Sequence, residues 1–211
     1  MSAIGEGLWV VGKIDFKREL RGLYASPRKP TAVEVPELAF LMVDGHGDPN
    51  TSAQYRDAVS ALFSVSYAAR FALKRAGVID YGVMPLEGLW WVPDMATFST
   101  EDKSEWDWTM MIMQPDEVTE AVLAEAKANA AAKRSLQALE RLRLERFAEG
   151  LAAQVLHVGP YSAEGPTITA LHEFISEQGR ELAGKHHEIY LGDPARSAPD
   201  TLKTIIRQPM R

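Results

Sequence analysis

Six short apolar runs and three longer stretches with helical spacing alternate along the chain. Leu38-Ala39-Phe40-Leu41-Met42-Val43 reads as a buried strand, stopped by the turn-rich Asp44-Gly45-His46-Gly47-Asp48-Pro49. Thr51, with Gln54 three residues on, has the form of a capping box. Behind it Tyr55, Val59, Leu62, Phe63, Ser66 and Leu73 recur on one helical face until Gly77. Residues 81–91 and 106–113 read as strands, and the linker between them holds Pro93, Asp94, Ser99 and Asp102. Pro115 opens a new segment. Residues 117–146 contain neither Gly nor Pro and are rich in Ala, Leu, Glu, Lys and Arg, which predicts a helical connector with a break near Asn129. The opening pattern then returns: a strand over 150–158 stopped by Gly159-Pro160-Tyr161, a helix over 166–181 with Ile168, Leu171 and Ile175 on one face, and strands over 186–191 and 202–208. A recurring β-α-β-β order predicts an α+β fold made of two duplicated modules. Their bounds are 38–115 and 149–211, with 116–148 as connector. Residues 1–37, punctuated by Pro27, Pro30 and Pro36, read as a surface arm with a short helix over 16–24.

Composition narrows the chemistry. The chain has 211 residues, 46% of them hydrophobic and 25% charged, enough for a real core. A net charge of −6 without a Lys/Arg cluster argues against a nucleic-acid surface. With no cysteine, thiolate catalysis, disulfides and Cys-ligated zinc are excluded. No apolar run approaches the roughly 20 residues of a membrane span, and the start of the chain lacks a signal-peptide pattern, so a cytoplasmic location is expected. His186 and His187 are neighbours on a strand, where their rings diverge, so neither a metal nor another cofactor is expected.

Four of the five tryptophans lie between Trp90 and Trp108. Strand alternation places His186, Glu188 and Tyr190 on one face and His187, Ile189 and Leu191 on the other. The apolar set should meet the helix and the Glu188 set should point away from it. Glu87 and Glu188 each sit on the strand after a helix. A pseudo-twofold arrangement would bring both carboxylates to one central cleft. Carboxylates walled by electron-rich rings attract organic cations, and a partly buried acid is suited to proton transfer near neutral pH. Of Trp90 and Trp91, alternation sends one to the core and one to the cleft. Trp106 and Trp108 share a face. Tyr190 shares the Glu188 face. Tyr67, at the edge of the helical stripe, is the weaker aromatic candidate, and packing is its simpler role.

The motifs Pro85-Leu86-Glu87-Gly88-Leu89-Trp90-Trp91, Glu105-Trp106-Asp107-Trp108, His157-Val158-Gly159-Pro160-Tyr161 and His187-Glu188-Ile189-Tyr190 resemble those of the stand-alone GyrI-like proteins, over about Leu38 to Pro209. The resemblance implies two SHS2-like modules with a ligand cleft where they meet. It also implies a ligand that is planar and hydrophobic or cationic, with an acid at the place of Glu188 facing the cation. One branch of that family hydrolyses cyclopropane-fused cyclohexadienones inside an aromatic cage, and the double-tryptophan motifs here look like that branch. The implied site is Glu188 and Glu87 with Trp90, Trp91, Trp106, Trp108, Tyr190 and Tyr67. The alternatives are a non-enzymatic drug binder, a regulator that contacts a protein such as DNA gyrase, and a haem binder. The activator relatives carry a helix-turn-helix domain, for which this chain has no room.

Overall fold

A computed structural model describes residues 12–95 and 102–211. Ser99, expected in the linker, lies outside them. Six strands close an antiparallel barrel: β2 (Thr31–His46), β4 (Leu86–Trp91), β5 (Asp107–Gln114), β6 (Arg143–Val158), β7 (His186–Tyr190) and β8 (Lys203–Pro209), in the order β2-β5-β4-β7-β8-β6. The ring is completed by pairing β6 with β2, from Thr31 opposite Gln154 to Met42 opposite Arg143. A short parallel pair, β1 (Lys13–Ile14) with β3 (Asp80–Tyr81), lies outside the barrel sheet.

Helix α3 (Ala53–Arg75) is capped by Ser52, whose hydroxyl accepts from the Tyr55 amide, so it starts one residue later than the Thr51 signal predicts. Its buried face is Ala58, Ala61, Leu62, Val65, Ser66, Ala69 and Leu73, at the spacing of one helical stripe. Ser66 accepts from Gln114 Nε2 at 3.1 Å, tying the helix to β5. Helix α5 (Gly165–Glu177) buries Leu171 and Ile175 against Val155 of β6 and Ile206 of β8.

Two expectations are corrected. The helix over 117–146 is only α4 (Glu120–Ala131), because the chain turns through a 3-10 segment and enters β6 at Arg143. The arm is not all surface. α1 (Phe16–Glu19) and α2 (Arg21–Tyr24) fold back, Leu23 and Tyr24 are buried, and β2 starts seven residues before Leu38, at Thr31.

Candidate functional site

β4 and β7 lie side by side, with Gly88 opposite Glu188 and Trp90 opposite His186; on its other side Trp90 faces Trp108 of β5. Directly opposed residues share a face. Gly88, Trp90, Trp108, His186, Glu188 and Tyr190 therefore form one surface, on the side that packs against α3 and α5. The missing side chain at Gly88 makes room for the Trp90 ring, because a Cβ there would stand 2.8 Å from Trp90 Nε1.

A relay runs over this floor. Trp90 Nε1 donates to Tyr190 Oη at 3.2 Å, and Tyr190 Oη donates to Glu188 Oε2 at 2.6 Å. The other carboxylate oxygen lies 3.2 Å from His186 Nε2. The walls are aromatic. Tyr55 of α3 stacks on Trp90 at 6.1 Å, the Trp106 ring lies 5.2 Å from Trp90, and Tyr161 meets Tyr190 edge-on at 5.6 Å. The Lys103 ammonium sits 4.7 Å over the Trp106 ring.

The carboxyl groups divide one proton between them. Burial pushes Glu188 up, but its bond to His186, the Tyr190 hydroxyl and the nearby Lys103 charge outweigh that and hold it below the usual carboxylate range. Glu164, the residue before α5, is pushed up to about 9 by burial and then by the Glu188 charge. The helix N-terminus would favour a charged carboxylate, and these effects outweigh it. Glu164 Oε1 and Thr204 Oγ1 are buried, and the Glu164 carboxyl lies within reach of the Thr204 hydroxyl and the Glu188 carboxylate. The tyrosine hydroxyls stay protonated: burial and then Glu188 push Tyr161 up to about 12 and raise Tyr190 well above its ordinary value. An ionised carboxylate, a neutral carboxylic acid and phenol donors thus share one aromatic enclosure.

The structure brings Glu188, Tyr190, Trp90 and Trp106 together. Trp108 shares their face, but it is fully buried, with its ring over Gly45 and Nε1 donating to the Gly47 carbonyl at 3.2 Å, so it is a support of the wall. Trp91 belongs to the opposite face, where the Lys185 ammonium lies 3.2 Å over its ring. Tyr67 lies on another flank of α3 and is 48% exposed. Glu87 does not meet Glu188, since adjacent strands pair Gly88 with Glu188 and Glu87 with Ile189. The Glu188 set faces the helices rather than away from them. In a closed barrel the His187–Ile189 set fills the interior, and the helices cover the outside. Sequence reasoning missed Glu164, Tyr55 and Lys103. The available signal for Glu164 was its place just ahead of the Gly165-Pro166 helix start.

Inside the barrel lies a second, fully buried network. Glu87 accepts from Tyr24 Oη at 2.7 Å and lies 3.0 Å from His187 Nε2. His187 Nδ1 lies 3.0 Å from Glu149 Oε2, which also accepts from Arg207 at 3.2 Å. Arg207 reaches Gln154 and the Leu23 carbonyl. Burial would push His187 down, but Glu149 and Glu87 prevail and raise it to about 9.

The model for the GyrI-like small molecule binding domain matches residues 28–211. The chain belongs to the GyrI-like family. Two Listeria innocua structures are similar to this GyrI-like protein over the whole of their own length. One is an uncharacterized conserved protein, 41% identical over 94% of this chain with a TM-score of 0.88. The other is described as a hydrolase and is 40% identical over 95% of this chain with a TM-score of 0.85. The C-terminal domain of EcmrR shares the fold at 13% identity and a TM-score of 0.57, covering 87% of this chain and 97% of its own. No curated protein matches significantly. Among the described residues no group of His, Asp and Glu is arranged to hold a metal ion, and no helix is long and apolar enough to cross a membrane.

Proposed function

We propose that this small-molecule-binding domain captures planar hydrophobic or cationic compounds between Tyr55, Trp90, Trp106 and the Glu188 carboxylate, and that it hydrolyses strained electrophiles of the cyclopropane-fused cyclohexadienone type. The observation that carries the reading is the Glu188 carboxylate, held by Tyr190 and His186 beside the rings of Trp90, Tyr55 and Trp106. The hydrolase description of a structure 40% identical to this chain supports it. So does the recurrence of β-α-β-β in β2-α3-β4-β5 and β6-α5-β7-β8. We take these as the duplicated modules expected over 38–115 and 149–211, with β2 and β6 reaching back to Thr31 and Arg143 and the two modules meeting where β4 pairs with β7.

In this mechanism the rings hold the flat dienone. Glu188 removes a proton from water while the water oxygen bonds to a cyclopropane carbon. The strained C–C bond breaks, its electrons aromatise the six-membered ring, and Glu164 donates a proton to the dienone oxygen. The product is a phenol bearing a hydroxyalkyl arm, and the proton on Glu188 returns to Glu164 through solvent. Glu164 takes the second-acid role expected of Glu87 from its matching place in the repeat, because Glu87 faces the other way.

Purified protein mixed with such a dienone should form the phenol faster than buffer does. Glu188→Gln and Glu164→Gln should each lower turnover about 10²- to 10⁴-fold, the range of a lost general acid or base. Because Glu164 acts in its protonated form, turnover should fall as pH rises through about 9. Tryptophan quenching without acceleration would remove hydrolysis and leave binding.

A further inference from the structure

α3 and α4 run antiparallel, with Arg75 near Glu125 and Asp57 accepting from the Ala138 amide. Between them opens a groove of about 750 Å³, lined by Tyr67, Phe71, Arg75, Asn129, Lys133 and Arg134 together with small residues. It shares no residue with the Glu188 site, so a ligand bound here would be independent of the function proposed for that site. Two aromatic rings one helical turn apart are half-exposed here: Tyr67 is 48% exposed with Phe63 stacked on one side at 6.5 Å, and Phe71 is 51% exposed with the Arg70 guanidinium 5.1 Å from its centroid. Exposed aromatic pairs are unusual on a surface with no partner. The charge is unusual as well. The chain carries a net −6, yet three cations and no carboxylate line this groove. Among the described residues, Lys133 and Arg134 form no ion pair, and Arg75 reaches only Glu125, at 4.0 Å. Basic residues after a helix ordinarily complement its dipole, and Lys133 and Arg134 follow the end of α4. That role does not explain why they share a groove with two half-exposed rings.

We propose that this groove is a second ligand site, selective for aromatic organic anions such as carboxylates or sulfonates. The ring would lie against Tyr67 and Phe71, and the anion would meet Lys133, Arg134 and Arg75. The volume suits such a molecule, since ligand pockets span about 300–1,000 Å³. Its polarity is the reverse of the carboxylate-lined site, so the domain would hold ligands of opposite charge on two flanks of one helix.

The test is calorimetric titration with naphthalene-2-sulfonate, and with 2-naphthylmethylammonium as the cation of equal shape. The sulfonate should bind one per chain, more weakly as salt rises. The double change Lys133→Glu and Arg134→Glu should weaken it at least about tenfold, Tyr67→Ser should weaken it similarly, and Glu188→Gln should leave it unchanged. Retained binding of the ammonium probe would show that the groove variants are folded, and an unchanged thermal melt would show it for Glu188→Gln. Sulfonate affinity that survives the charge reversal, or that is lost in Glu188→Gln, would overturn the proposal. So would a dimer in sedimentation that Tyr67→Ser dissolves, because the groove would then belong to a second copy.

Discussion

Lys103 is a cation supplied by the protein itself at the place where a ligand's cation is expected. It sits 4.7 Å above the Trp106 ring, and its charge helps keep Glu188 ionised. An aromatic cation seeking the same ring and carboxylate must compete with it. Cation–π contacts are worth about 0.5–2 kcal/mol, so Lys103→Met should tighten binding of a cationic dye about 2- to 30-fold and leave a neutral dye of the same shape unchanged. Glu188→Gln should do the reverse, weakening the cation and sparing the neutral dye. Tryptophan quenching reads both. Weaker cation binding in Lys103→Met would mean that the ammonium holds the wall in shape instead of holding the ligand's place. Trp108 behaves differently despite sharing the face. With no exposed surface, Trp108→Ala should act through stability, at a cost of about 3–5 kcal/mol.

At the level of elements, the site depends on two glycines that accept tryptophan rings. A Cβ on Gly45 of β2 would lie 2.1 Å from the Trp108 ring, and one on Gly88 of β4 would lie 2.8 Å from Trp90 Nε1. Trp108 is locked in the core, so Gly45→Ala should destabilise by about 1–3 kcal/mol, as overpacking does. The clash at Gly88 is milder and falls on Trp90 Nε1 itself, the atom that donates to Tyr190, so Gly88→Ala should mainly break that bond and weaken ligand binding. Thermal melts beside dye titrations separate the two, and equal melting losses would refute the distinction. Most of these elements were legible in the sequence. The helices of both halves follow from apolar spacing because each has one buried face, and the strands around Glu87, Trp108 and Glu188 stand out as short apolar runs because they are buried on both faces. The long strands β2 and β6 were not. Their outer halves are half-exposed and polar, and Pro36 and Gly150 read as breaks. In β6, Gly150 takes φ +73°, which changes the phase of the alternation. Glu149 and Gln154, an odd number of residues apart, therefore both reach Arg207. Strict alternation separates them. The same limit hid the placement of Glu87: alternation separates the two faces of a strand, but only barrel closure decides which face is inside.

At the scale of the whole molecule, the buried network joins the arm to the barrel and makes stability depend on pH. Tyr24 bonds to Glu87, Arg207 to the Leu23 carbonyl and Gln154 to the Gly22 carbonyl. Tyr24→Phe leaves Glu87 short of one donor and should cost about 1–3 kcal/mol. His187 binds its proton more tightly when folded, with its pKa raised from 6.5 to about 9. Its contribution is therefore complete below about pH 6.5 and is lost as pH rises through about 9. Glu164, raised from 4.5 to about 9, adds a loss of the same sign that begins at lower pH. Glu149 is lowered, so its contribution fades only when pH falls below the ordinary carboxylate range. Each proton held by the folded chain and not by the unfolded one sets a slope of about 1.4 kcal/mol per pH unit. Between pH 6.5 and 9 two such protons act, and stability should fall steeply. Glu164→Gln should remove one proton's slope at little cost near pH 7. His187→Gln should remove the other while costing about 3–5 kcal/mol, because it strands Glu87 and Glu149 without their shared cation. Denaturant titrations at pH 6.5, 7.5 and 8.5 test this directly. A wild-type curve that is flat across that window would mean that neither His187 nor Glu164 holds its extra proton in the folded barrel.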